Sequence, residues 1–495
     1  MAQERRVILS AIPNGGEASP RRLAISRPEL PSYTRHIREF NLPAGVEEEL
    51  DEHQRQAFSY LVRAARRWAD IYALQESTDP RKPFWPQGIT RREVREASDP
   101  EVRSPYTIVE YDQNGKLVAR PMHDFYGKQI KELDIIRLLR KAADETGKGR
   151  NRDFKLQAYL RAKARSLETG DFKASERRWL EREDEPDLDI FFGFYDTYSD
   201  EFLSIKYAAE ASVGVLDRQA TDDSQWFKSA LLGWWERETG RVAPRIKVRV
   251  DHTRIQAGQV AKYEFTGMSI PCQMDWREEL GSKFIIYRPF FEDKFRHRRL
   301  PSLRNLIDKD KIDGITDGFA RLAALRKIIA HEISHSLVPG ENHQERLGQE
   351  TTWVKELYCD LLALVGYRHV KGLSMRESEI AMAMFFSDGY LDYEDRRRRP
   401  EYHRSSTIIT QYPIQHGSLS LLDGRFIWHE TPAVFEDFSE LLSETQDILI
   451  DGKSKDAQRL RERYFDPTIY RYLIFKGIYP QPEETSPDST LVSSS

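Results

Sequence analysis

Between Phe319 and Gly340 the apolar positions recur at helical spacing. Phe319, Leu322, Leu325, Ile329, Ile333 and Leu337 share one side, no breaker falls between Arg321 and Val338, and Pro339-Gly340 supplies a stop. Val354, Leu357, Leu361 and Leu364 form the stripe of a second helix just downstream. A long core helix is predicted over residues 46–76, where Phe58, Leu61, Val62, Ala65, Trp68, Ile71, Tyr72 and Leu74 fall on or near one face. Residues 127–183 also read as helical, with a solvated face of mixed charge.

Alternating patterns predict strands elsewhere. Tyr106–Val118 reads as a hairpin around Asn114-Gly115, and residues 245–250 and 281–287 read as strands. Leu188–Tyr195 is an apolar strand that breaks into Asp196, Tyr198 and Asp200, and a helix is expected to follow from about Lys206 to Val215. A polar stretch from Phe295 to Asp317 marks a crossing into a helical region that continues through Ile380–Phe386, Pro432–Leu449 and Ser454–Tyr464. At the ends, Arg6–Ala11 reads as a short strand, and Glu483–Ser495, rich in Ser, Thr and Pro, as disordered.

Composition narrows the class. The 495 residues suffice for a large two-lobed enzyme or two to three domains, and 39% hydrophobic with 32% charged residues is a soluble, globular balance. Nothing in a formal net charge of −4 points to nucleic acid or an anionic membrane, and no apolar run is long enough to span a bilayer. The start lacks a signal-peptide apolar region, which points to the cytoplasm. Cys272 and Cys359 are the only cysteines, too few for a disulfide framework, and Cys359 reads as a small buried hydrophobe. The four arginines Arg396–Arg399 read as a solvated loop ahead of a site for anionic groups.

The candidate chemistry lies on the two neighbouring helices. His331-Glu332-Ile333-Ser334-His335 sets two imidazoles one turn apart on one helix face, a spacing suited to Zn2+. A catalytic zinc takes three protein ligands. Glu356 is the candidate for the third, and Asp360, one turn further along, can accept the spare ring N–H of a ligand histidine. Glu332, beside a ligand, is placed to act as general base.

Gly193-Phe-Tyr-Asp-Thr-Tyr-Ser-Asp200, Lys206-Tyr-Ala-Ala-Glu210 and the His331-to-Asp360 segments together resemble the dipeptidyl peptidase III family of zinc metallopeptidases, in its shorter microbial form. Similarity runs from about Ala65 to about Gly452. The resemblance implies an α+β, two-lobed protein, with a mostly helical zinc-bearing lobe, a second lobe with a β-rich core, and a cleft between them for a short extended peptide. The lobes are expected at 1–300 and 301–465, with part of 216–245 able to pack on the helical lobe and with 466–495 as a C-terminal segment.

By the same resemblance His331, His335 and Glu356 match the metal ligands, Glu332 the base, and Asp360 the acid behind a ligand. Tyr198 matches a tyrosine that holds the scissile carbonyl, and Asp196 a Glu that grips the substrate amino group. His403 matches a further histidine of the transition state, with His416 as the alternative. Lys355 stands where long members have an acid, and this chain has the shorter His-Glu-x-x-His spacing. The implied activity is release of dipeptides from the N-termini of short peptides. A zinc hydrolase of a non-peptide amide, ester or lactone, and a non-catalytic peptide binder, are the alternatives.

Overall fold

The computed structural model describes residues 36–76, 84–182, 187–397 and 399–475. The expected Arg6–Ala11 strand and the tail from Glu483 lie outside these residues.

The long first helix runs Glu52–Gln75 and starts at a capping box, in which Asp51 accepts from the Gln54 N–H while the Gln54 side chain accepts from the Asp51 N–H. Its apolar stripe covers a sheet: Trp68 packs against Phe192 and Phe194 and donates its indole N–H to the Gly193 carbonyl at 3.0 Å. The charged region beyond folds as the helices Gly127–Glu132, Ile135–Thr146, Phe154–Thr169 and Phe172–Leu180.

The strands are β1 (Ile37–Glu39), β2 (Thr107–Tyr111), β3 (Leu117–Pro121), β4 (Leu188–Tyr195), β5 (Ala208–Leu216), β6 (Ile246–Gly258), β7 (Gly267–Ile270) and β8 (Ser282–Tyr287). β2 and β3 form the expected hairpin, with Gly115 at φ +80° in its turn. The main sheet has the order β4-β5-β6-β8-β7, with β1 added along β6. β6 and β8 are parallel and the other pairs antiparallel.

The stretch from Lys206 to Val215, expected as a helix, is instead β5. Its Ala208-Ala-Glu-Ala211 start has helix-forming residues, but β5 is paired on both sides and every one of its residues is buried. A central strand covered on both faces shows no alternation, and pairing overrides local propensity.

The sheet divides two cores residue by residue. Val248, Val250, Phe284 and Ile286 point into a helical core, whereas Ile255, Ala257, Ile285 and Tyr287 point into the core beneath the first helix. The helix Arg218–Thr239 contributes Phe227, Leu231 and Trp234 to the helical core as well. The polar crossing is itself helical: Arg288–Lys294 runs through a π-type turn at Phe295–Arg299 into Leu300–Leu306.

The helical lobe is built around the histidine helix (Asp317–His335) and the glutamate helix (Thr351–His369). The first is capped by Thr316, whose hydroxyl accepts from the Phe319 N–H. The second is buried on nearly all sides, and Gly366 permits its close approach to Leu231 and Trp234, where a Cβ would meet side-chain atoms at 2.5 and 2.7 Å. The helices Met375–Glu394, Pro400–His416 and Thr431–Ile450 and the hairpin of β9 (Leu419–Leu422) and β10 (Arg425–Trp428) complete the layer.

Candidate metal centre and active-site cleft

Three side chains converge where the histidine and glutamate helices pack. His331 Nε2 lies 3.1 Å from His335 Nε2 and 3.3 Å from Glu356 Oε2, and the third side of the triangle is 3.7 Å. Ligand atoms about 2.0–2.1 Å from a tetrahedral zinc stand about 3.3 Å apart, so the triangle has the dimensions of one face of such a site. Glu356 is buried, and its Oε2 has no hydrogen-bond partner. A buried carboxylate oxygen left bare beside two imidazole nitrogens is costly unless a cation joins them. The donor set fits zinc.

The opposite ring nitrogens fix the tautomers. Asp360 Oδ1 is 2.8 Å from His331 Nδ1, and its Oδ2 accepts from the Ser405 hydroxyl at 2.8 Å. His331 Nδ1–H therefore donates outward and Nε2 offers its lone pair inward. Cys359 plays the matching part for His335, with Sγ 3.3 Å from Nδ1. The thiol read as a core filler is thus also a polar partner of a candidate ligand; it lies three positions after Glu356, on the same side of the glutamate helix.

A cavity of about 390 Å³ opens over this triangle, within the size range of ligand pockets. Asp196 and Tyr198 enter its wall from the loop after β4, and residues 265–269 and Arg277 add to the same side. His331, Glu332, His335, Glu356, Tyr402 and Arg399 come from the helical lobe. Burial, opposed by His331 and reinforced by the Glu356 charge, brings the Glu332 carboxyl up to about 7. Burial likewise raises Asp196 to about 6, against the pull of Arg277.

The loop that carries Asp196 and Tyr198 is tied down by buried polar groups. Asp200 accepts the Trp85 indole N–H at 2.8 Å and the backbone N–H groups of Ile205 at 2.9 Å and Lys206 at 3.0 Å. The Lys206 ammonium donates to Val102 O, Ser104 O and Thr107 Oγ1 and sits 4.7 Å from the Trp85 ring centroid. These bonds explain the Asp200 and Lys206 positions of the sequence motif as structural supports. Asp196 itself adopts a left-handed φ of +42°, which turns the chain out of β4 into the cleft.

Of the residues named from sequence, His331, Glu332, His335, Glu356, Asp360, Asp196 and Tyr198 come together on one cleft. His403 does not reach its wall. It is buried, edge-on to Tyr393 and Phe465, with Nδ1 3.2 Å from Thr407 Oγ1. His416 lies at the far end of the same helix, beside Asp437. The helix turns by about 100° per residue, and that rotation presents Tyr402 to the cleft in place of His403.

Sequence reasoning left out Arg277 and preferred a solvated loop for the run that ends at Arg399. Arg399 closes the arginine run just before Pro400, donates to the Tyr263 carbonyl at 3.3 Å across the cleft, and lines the cavity. The run is therefore not wholly a solvated loop.

No family model matches the chain. A curated relative, Nudix hydrolase 3 of Arabidopsis thaliana, is 25% identical over 353 residues, which is 67% of this chain; the chain spans 42% of that protein's length. Among solved structures, DPP III from Caldithrix abyssi superposes with a TM-score of 0.72 at 19% identity, covering 86% of this chain and 93% of that one. Dipeptidyl-peptidase III from Corallococcus sp. strain EGB gives a TM-score of 0.75 at 17% identity, covering 90% of this chain and 94% of that one. Among the described residues no helix is long and apolar enough to cross a membrane. The chain has the two-lobed α+β fold of dipeptidyl peptidase III.

Proposed function

We propose that this protein is a zinc-dependent peptidase of the cytoplasm that releases dipeptides from the free N-termini of short peptides. The observation that carries the reading is the partnerless Glu356 Oε2 facing two imidazole nitrogens, with the Glu332 carboxyl beside them on the cavity wall. His331, His335 and Glu356 would hold the ion, which supplies Lewis acidity when bound.

The remaining work falls to the chain's own groups. Glu332 takes a proton from the attacking water as its oxygen adds to the scissile carbonyl carbon, then gives it to the leaving nitrogen as the C–N bond breaks. The position of Glu332 on the cavity wall beside the candidate ligands suits both transfers. Tyr198, 39% exposed at the cleft, donates its phenolic hydrogen to the carbonyl oxygen. Asp196 holds the substrate ammonium, and binding that charge offsets the cost of its own buried ionisation. The dipeptidyl-peptidase III structures that share this fold support the reading.

Hydrolysis of an unblocked dipeptidyl-arylamide and of its N-acetylated counterpart tests it. The unblocked compound is turned over at least a hundredfold faster in kcat/KM. Equal rates would remove Asp196 from its role and move the activity to amides or esters in general.

A further inference from the structure

We infer that Tyr402 is the second hydrogen-bond donor to the reacting carbonyl oxygen, opposite Tyr198. This rests on the peptidase reading above.

Tyr402 is half-buried on the cavity wall, and its ring centroid is 6.4 Å from that of His331. The charged and ionisable groups around its phenol are Glu356, Tyr198, Arg399 and Glu332, all members of the cleft. His403 is instead packed against Tyr393, Phe465 and Tyr470, and the charges that act on it are those of Arg396 and Arg404. Tyr198 enters from the β-rich lobe and Tyr402 from the helical lobe, so the two phenols approach one site from opposite walls. The Arg399 guanidinium carbon stands 5.8 Å from the Tyr402 ring centroid and favours its orientation.

The Ser406 hydroxyl donates to the Tyr402 carbonyl at 2.9 Å, Lys327 is paired with Asp388, and Arg399 donates to Tyr263 O. A phenol also suits the task chemically. A phenol ionises only at about pH 10, so it donates throughout the working pH range, where an imidazole gains and loses a proton.

The test compares the parent with Tyr402→Phe, Tyr198→Phe and His403→Gln. The readouts are zinc content, kcat and KM on an unblocked dipeptidyl-arylamide, and calorimetric affinity for a phosphinate dipeptide analogue with a tetrahedral centre. Tyr402→Phe is expected to keep zinc and KM, to lose roughly 100- to 1,000-fold in kcat, and to lose affinity for the phosphinate by a similar factor. His403→Gln is expected to change kcat less than threefold. Unchanged kcat and phosphinate affinity in Tyr402→Phe would overturn the assignment, as would their loss in a zinc-replete His403→Gln. An inactive parent would instead overturn the peptidase reading, and the assignment with it.

Discussion

The Asp360 carboxylate lies 2.8 Å from His331 Nδ1, one helical turn beyond Glu356, whose own carboxylate faces the other nitrogen of the same ring. One helix thus supplies both a candidate ligand and the group that orients another ligand. Glu356 and Asp360 sit four positions apart, a spacing that stacks them on one face of the helix.

Asp360→Asn keeps shape but replaces the charged acceptor behind His331. Outer partners of metal-bound histidines are typically worth 10- to 100-fold in metal affinity. Zinc affinity, measured by competition with a chromophoric chelator, is expected to fall within that range.

Cys359→Ala removes the sulfur 3.3 Å from His335 Nδ1 and leaves that N–H buried without a partner. The same titration is expected to show about a tenfold loss of zinc affinity, with Cys359→Ser recovering most of it because a hydroxyl also accepts. Identical affinities in all three proteins would make Cys359 a packing residue alone.

Asp196 carries a stability cost. Its carboxyl titrates at about 6 in the folded protein, raised by burial from an ordinary value of 3.8. Above pH 6 the folded chain holds a buried charge that the unfolded chain solvates freely, so this group lowers stability at pH 7, and the penalty fades as pH falls through 6 toward 4. Asp196→Asn should therefore stabilise the protein by about 3 kcal/mol at pH 7 and by under about 1 kcal/mol at pH 4, in urea unfolding followed by fluorescence. The same variant should raise KM for unblocked peptides.

Asp200→Ala strips the acceptor from the Trp85 indole and from the Ile205 and Lys206 N–H groups at once. Uncompensated buried donors beside the Lys206 ammonium predict a loss of about 3–5 kcal/mol. Urea midpoints of the parent and the variant measure it, and a loss under 1 kcal/mol would mean that the loop is held elsewhere.

The two helices that carry the candidate ligands, Asp317–His335 and Thr351–His369, were legible because an unbroken apolar period and a fixed His-Glu-x-x-His spacing are local signals. The hairpin of β2 and β3 was legible for the same reason, through Asn114-Gly115. β5 was not, since burial on both faces erases the alternation that marks a strand, and its pairing with β4 and β6 is a property of the whole sheet. His403 and Tyr402 are adjacent in sequence, and only the rotation of the helix against its neighbours decides which one faces the cleft. Arg277 and Arg399 act from opposite walls of the cavity, a relation that no sequence window contains.

Zinc stoichiometry with Glu332→Gln tests the account most directly. Parent and variant are each assayed for bound metal and for hydrolysis of an unblocked dipeptidyl-arylamide, before and after chelation and zinc return. The account predicts one zinc per chain in both proteins, activity in the parent that chelator removes and zinc restores, and a loss of roughly 100- to 10,000-fold in the variant. Zinc bound equally by both, with no peptide turnover by either, would contradict it.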